Sequence, residues 1–270
     1  IGTVLLRNSA WCCPHSDNNC PIMDYSDAVL RAQNVAKSFK GVAAVKSLDL
    51  TLDPGDRVGL LGPNGAGKTT TLLMILGAIK PDSGIIEVAG HRLPHGRSQA
   101  MEEVGFVAGY LPLPENLTVR EALTLFAGLA GIRRPDPIVQ RSIIAFGLED
   151  LAEKRNQELS SGQRTLVSIT KATLHQPRLL ILDEPTASLD PDIAARVRTA
   201  LLDLHSRHGT ALLVTSHNMR EVERLCERVI LMASGEIVAD GSPAAIATQF
   251  DVEDLEGAFL AVAARGRGPQ

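Results

Sequence analysis

No stretch of the 270-residue sequence supplies the ~20 consecutive apolar residues that a membrane-crossing helix needs. Uncharged stretches such as residues 69–79 and 104–114 are about half that length. The N-terminus also lacks a basic region followed by an apolar core, so no secretory signal is expected. A large basic surplus is missing as well: the formal net charge is −4, which gives no sign of a nucleic-acid-binding surface. Cysteine is scarce, with four residues, and three of them (Cys12, Cys13 and Cys20) lie near the start with His15. Cys-Cys-Pro-His followed by a lone Cys is not a standard zinc-ligand spacing, so residues 1–27 are expected to be a disordered extension. Met23 stands just before the organised sequence and is the expected natural start. The fourth cysteine, Cys226, sits in a helical pattern with Val222, Leu225 and Val229 and is expected in the core. The composition is ordinary, 44% hydrophobic and 21% charged, and the chain is expected to be soluble and cytoplasmic.

What is present centres on Gly62-Pro63-Asn64-Gly65-Ala66-Gly67-Lys68-Thr69, which fits the G-x-x-x-x-G-K-[ST] phosphate loop. An apolar run at residues 57–61 predicts a buried strand before it. Thr69-Thr70-Thr71-Leu72-Leu73-Met74-Ile75-Leu76, stopped by Gly77 and Pro81, predicts a helix after it. Glycines let backbone N–H groups turn inward around an anion, and the helix start adds unpaired donors with a partial positive charge. Lys68 is placed to neutralise the β- and γ-phosphates and the Thr69 hydroxyl to hold Mg²⁺, with Thr70 counted among the loop residues. The chemistry is that of a nucleoside triphosphate site.

Other segments build the frame. Residues 29–35 and 42–52 read as antiparallel strands, with a turn at residues 37–41 carrying Phe39. Phe39 is either a platform for a nucleobase or a core aromatic. Residues 84–90 return to strand, and residues 91–97 read as a loop. Residues 118–175 look helical, opened by Thr118 with Glu121 three positions on, a capping box. Leu159-Ser160-Ser161-Gly162-Gln163 opens a further helix capped by Ser160 or Ser161. By itself it is a capped helix start and another candidate anion site.

The second strong signal is Leu179-Leu180-Ile181-Leu182-Asp183-Glu184. Four apolar residues predict a buried parallel strand whose carboxyl end presents two acids, where α/β proteins bind ligands. Asp183 is suited to Mg²⁺ through its coordinated water, and Glu184 to polarising an attacking water. A further buried strand, residues 211–215, ends in Ser216-His217, which places a histidine toward the γ-phosphate. A hairpin is expected over residues 229–239, and the tail from Asp251 is expected to be partly helical and to end frayed.

Taken together, these motifs resemble the ATPase subunits of ABC transporters over about residues 28–245. Gly62 to Thr69 looks like Walker A, and Leu159 to Gln163 is similar to the LSGGQ signature with Ser161 in place of the usual glycine. Residues 179–185 look like Walker B with its glutamate, Ser188-Leu189-Asp190 like the D-loop, and His217 like the switch histidine. Phe39 falls where the family stacks adenine. Gly109 stands where the family usually has a glutamine that relays permease contact.

The resemblance implies a P-loop α/β core with an antiparallel β subdomain and a helical subdomain inserted at about 111–177, followed by a tail over 246–270. It implies ATP and Mg²⁺ as cofactors and a second ATPase subunit, a second copy or a paralogue. Ser160, Ser161, Gly162 and Gln163 would then close on the other subunit's nucleotide. It also implies a separate integral membrane permease, docking on the cytoplasmic face of the plasma (inner) membrane, more exporter than importer, and no nucleic acid. The rivals are a soluble ABC protein of translation or DNA repair, and a regulatory ATP-binding module with weak hydrolysis.

Overall fold

The computed structural model describes residues 28–108, 112–186 and 189–265. Its frame is two sheets. The first is antiparallel, with strand order β2-β1-β4-β5, built from β1 (Leu30–Phe39), β2 (Val42–Leu52), β4 (Ser83–Val88) and β5 (His91–Arg92). β2 buries Val45, Leu48, Leu50 and Leu52 and exposes residues between them, the one-sided pattern of an antiparallel sheet. β1 runs further than the sequence suggested, through Phe39 rather than stopping at Val35. Its pairs with β2 continue to Ser38↔Ala43 and Phe39↔Val42. That leaves a two-residue turn of Lys40 and Gly41, both at positive φ (49° and 82°), the backbone that tight hairpins require. Of the expected loop at 91–97, residues 93–96 are turn, while His91 and Arg92 form β5, whose His91 pairs with Val88, and Arg97 opens α2 (Arg97–Glu102).

The second sheet has order β10-β9-β3-β8-β7-β6. Its strands are β3 (Arg57–Leu61), β6 (Val104–Ala108), β7 (Leu179–Asp183), β8 (Ala211–Thr215), β9 (Arg228–Ala233) and β10 (Glu236–Gly241). All neighbours are parallel except the β9–β10 hairpin. Continuous apolar runs suit strands covered on both faces, and β7 shows why. Leu179 and Ile181 enter a core shared with the antiparallel sheet and α1 (Lys68–Ile75), while Leu180 and Leu182 enter a core shared with the helices. Each such leucine, 0% exposed, contributes about 1.5–3 kcal/mol relative to an exposed position.

Between β6 and β7 lie α3 (Val119–Leu129), α4 (Pro135–Ala145), two single-turn 3₁₀ segments and α5 (Ser161–Thr173). The Thr118 cap forms as expected: its hydroxyl accepts from the Glu121 N–H at 3.2 Å, and the Glu121 carboxylate accepts from the Thr118 N–H at 2.8 Å. Val119, Leu123, Val139 and Ile143 join the same core as Leu180 and Leu182, so this helical segment shares its interior with the parallel sheet. α6 (Pro191–His208) ends at Gly209 in the left-handed conformation that stops helices, and α7 (Met219–Leu225) follows β8.

The C-terminal segment is helical beyond Asp251, as expected. α8 (Pro243–Gln249) and α9 (Leu255–Arg265) follow β10. Leu255, Ala258 and Val262, spaced i, i+3, i+7, form an apolar stripe that is buried with Met219, Val222 and Leu225 of α7. Cys226 is buried as expected, and burial pushes its thiol up to about 12. The expectations for residues 1–27, for Gly109, for Ser188 and for the last five residues lie outside the described residues.

Candidate functional site

The site grows from the turn between β3 and α1. Gly67, the residue before α1, has φ 106° and ψ −2°. A Cβ there would lie 2.6 Å from the Ala44 carbonyl oxygen and 3.3 Å from Val45 Cγ2, so glycine is required by both backbone and space. The loop is braced from the β9–β10 turn, where the Gly235 N–H donates to the Ala66 carbonyl at 3.0 Å. Lys68 curls back over the loop and donates to the carbonyls of Gly62 (2.6 Å) and Pro63 (3.2 Å). Burial lowers its pKa from the ordinary 10.5, and the nearby charges of Glu184 and Asp183 oppose that shift. Lys68, Asp183 and Glu184 therefore share one electrostatic neighbourhood, as the sequence motifs implied. Thr69 is exposed and Thr70 half-buried on the first turn of α1.

The carboxylates come from β7. Asp183 ends the strand and accepts from the Thr215 hydroxyl at 2.6 Å. Glu184, the next residue, takes φ 55°, a left-handed backbone that non-glycine residues seldom adopt. Its carboxylate lies 3.1 Å from His217 Nε2 and accepts the His217 backbone N–H at 3.3 Å. The His217 side chain is 54% exposed and that of Glu184 26%, so both can be reached from solvent. Parallel pairing of β7 with β8, ending at Asp183↔Thr215, brings these groups together. One cleft beside the loop is lined by Pro63, Asn64, Gly65 and Ala66 together with His217, and a neighbouring one by Glu184 and His217.

The remaining expected residues lie apart from these clefts. Ser160, not Ser161, is the cap of α5: its hydroxyl accepts from the Gln163 N–H at 3.3 Å, and the Gln163 side chain accepts from the Ser160 N–H at 3.0 Å. Ser161 is exposed at the first helical position, and Gly162 is buried against Ile193 of α6. Among the described residues lining the two clefts, none belongs to residues 160–163. Phe39 is 44% exposed at the end of β1, with Lys37 Nζ 5.5 Å from its ring centre, so it is not a core aromatic. Two contributors were missed by sequence reasoning. Thr215 was seen only as the end of a strand, and Phe259 of α9 lines both clefts. The apolar stripe of α9 was the signal available for the latter.

Phosphate-loop backbone, a half-buried lysine and a strand ending in two acids suit a nucleoside triphosphate. Among the described residues no group of three His, Cys, Asp or Glu is clustered around a metal position. One hydroxyl (Thr69) and one carboxylate (Asp183) instead match Mg²⁺, which arrives with substrate phosphates and keeps several waters.

Comparison with known proteins agrees. The ABC transporter family model matches residues 45–187, just over half of the chain. The chain is 38% identical to the Nod factor export ATP-binding protein I of Burkholderia lata over 79% of this chain and 71% of that protein. It is 34% identical to the lipopolysaccharide export system ATP-binding protein LptB of Haemophilus influenzae over 80% and 91% of the two chains. Among solved structures, a dimeric ATP-binding cassette in a post-hydrolysis state with ADP and Pi superposes with a TM-score of 0.70 at 25% identity, covering 79% of this chain and 98% of that one. The chain belongs to the ABC transporter family, as an ATP-binding subunit with a P-loop ATPase fold.

Proposed function

We propose that this chain is the ATP-hydrolysing subunit of an ABC exporter, lodged peripherally on the cytoplasmic face of the inner membrane against a separate permease. The ATPase domain spans about residues 28–245, with the helical subdomain at about 111–177 as the insert. The observation that carries the reading is the Asp183–Glu184 pair at the carboxyl end of β7, within the field of Lys68 and in contact with His217. Export is supported by the names of both relatives, each an export ATP-binding protein. No helix among the described residues is long and apolar enough to cross a membrane, and this reading gives the membrane path to the separate permease.

In this reading the loop N–H groups of residues 62–67 hold the phosphates, and Lys68 leaves the Gly62 and Pro63 carbonyls to neutralise charge on the β- and γ-phosphates. Thr69 and Asp183 would hold Mg²⁺, which would supply charge neutralisation at the transferring phosphoryl group. Glu184 orients water and accepts its proton, while His217 steadies the Glu184 carboxylate and faces the γ-phosphate. Phe39 offers its exposed face to the adenine.

The signature helix start, absent from the clefts around its own phosphate loop, serves the nucleotide of a second subunit. Ser161 and Gly162 present N–H donors there, with the Ser160–Gln163 box holding the helix start in shape. The site is thus completed between two ATPase subunits, copies of this chain or paralogues. Co-purification from membranes in mild detergent, with phosphate release assayed, tests the proposal. A multi-span protein accompanying the chain, with activity rising alongside it, is expected. A chain that comes down alone, or with ribosomes or DNA, would overturn the transport role.

A further inference from the structure

Thr215 lies between the two acids, and the sequence reading gave it no role. It ends β8 and is 1% exposed. Its hydroxyl donates to Asp183 Oδ1 at 2.6 Å, and the hydroxyl oxygen, Thr215 Oγ1, accepts the Glu184 backbone N–H at 3.1 Å. The Thr215 carbonyl also accepts that N–H, at 3.2 Å. One buried hydroxyl therefore links the side chain of Asp183 to the backbone of Glu184, just where the chain turns into the left-handed φ of 55°. A hydrogen bond that ends on an ionised carboxylate is stronger than a neutral one, and the two bonds of such a relay polarise each other. With Oδ1 engaged by the hydroxyl, the Asp183 carboxylate is held in one rotation. Two acceptors on Thr215 hold the Glu184 amide, and so the direction in which its side chain leaves the strand.

We infer that Thr215 is a positioning residue for hydrolysis: its hydroxyl orients the Mg²⁺-side carboxylate of Asp183 and fixes the backbone turn that aims Glu184 at water. It acts through these two residues and touches neither nucleotide nor metal, so it governs turnover and metal use rather than nucleotide affinity. This inference rests on the roles given to Asp183 and Glu184 under the proposed function.

The test compares Thr215→Val, which keeps shape but removes the hydroxyl, with Thr215→Ser, which keeps the hydroxyl. Phosphate release, nucleotide affinity without Mg²⁺ and the Mg²⁺ concentration for half-maximal activity are measured. For Thr215→Val, turnover falls about 10- to 100-fold, as expected for a lost bond to a charged group. The Mg²⁺ requirement rises, and Mg²⁺-free nucleotide affinity stays at the wild-type level. Thr215→Ser restores turnover and the Mg²⁺ requirement. Should Thr215→Val fail to fold, Thr215→Cys, with a weak S–H donor, takes its place and gives intermediate turnover with a raised Mg²⁺ requirement.

Wild-type turnover and Mg²⁺ requirement in Thr215→Val, or in Thr215→Cys as its replacement, would overturn the inference alone. So would a Thr215→Ser protein as impaired as Thr215→Val, which would assign the effect to the methyl group. A wild-type chain that releases no phosphate would instead overturn the proposed function and this inference with it.

Discussion

Replacing Gly67 with alanine separates the phosphate loop's conformational demand from its packing demand, because Gly65 provides the control. Both glycines hold left-handed backbone, with φ 106° at Gly67 and 82° at Gly65. An L-residue in that region costs about 1–2 kcal/mol at either position. Space differs. A Cβ at Gly65 meets nothing within 4 Å, whereas at Gly67 it would press on the Ala44 carbonyl oxygen at 2.6 Å and on Val45 and Met232 side chains at 3.3 and 3.4 Å. The carbonyl belongs to strand β2 and cannot swing aside as a side-chain tip would. Overpacking of that kind costs about 1–3 kcal/mol. Gly65→Ala should therefore lose about 1–2 kcal/mol, from the backbone cost alone. Gly67→Ala should lose about 2–5 kcal/mol, the sum of both terms. Urea unfolding without nucleotide reads the difference from the midpoints at unchanged slope. A Gly67→Ala protein as stable as Gly65→Ala would refute the claim that Ala44 and Val45 leave no room for a side chain at Gly67.

Burial lowers the Lys68 pKa from 10.5, so the ammonium is less favoured there than it would be in water. Phosphate binding needs that ammonium. Affinity for ATP should hold at neutral pH and fall as pH rises through the lowered pKa, before 10.5 is reached. A fluorescent-nucleotide titration flat to pH 10.5 would contradict this. Leu255→Ala, at a position 0% exposed in the helix-side core, should cost about 2–5 kcal/mol in urea unfolding. A change within about 0.5 kcal/mol, as for an ordinary surface substitution, would mean α9 is not part of the folded unit.

The phosphate loop, the paired acids and His217 were legible because each is a local pattern: a fixed spacing of glycines, or an apolar run ending in a charged residue. The capping boxes at Thr118 and Ser160 were legible for the same reason, since cap and partner stand three residues apart. Thr215 was not, because its hydroxyl meets Asp183 from 32 residues away and only the β7–β8 register brings them together. β5 and α2 escaped notice because two and six residues are too short to show a period. The extension of β1 to Phe39 was hidden by Lys37 and Ser38, polar residues that read as turn until β2 is seen opposite them. The helical character of the tail was legible, but its docking on the core was not, because the small and charged residues within α9 dilute the stripe of Leu255, Ala258 and Val262.

Glu184→Gln tests the central claim most directly, with phosphate release and sedimentation measured on the same sample in ATP and Mg²⁺. The amide keeps the size of the side chain but cannot accept a proton from water. Release should fall by about 10²–10⁴-fold, the contribution of a positioned base, with ATP still bound and the chain sedimenting as a dimer. Unchanged release from a monomer would contradict both the base and the paired site.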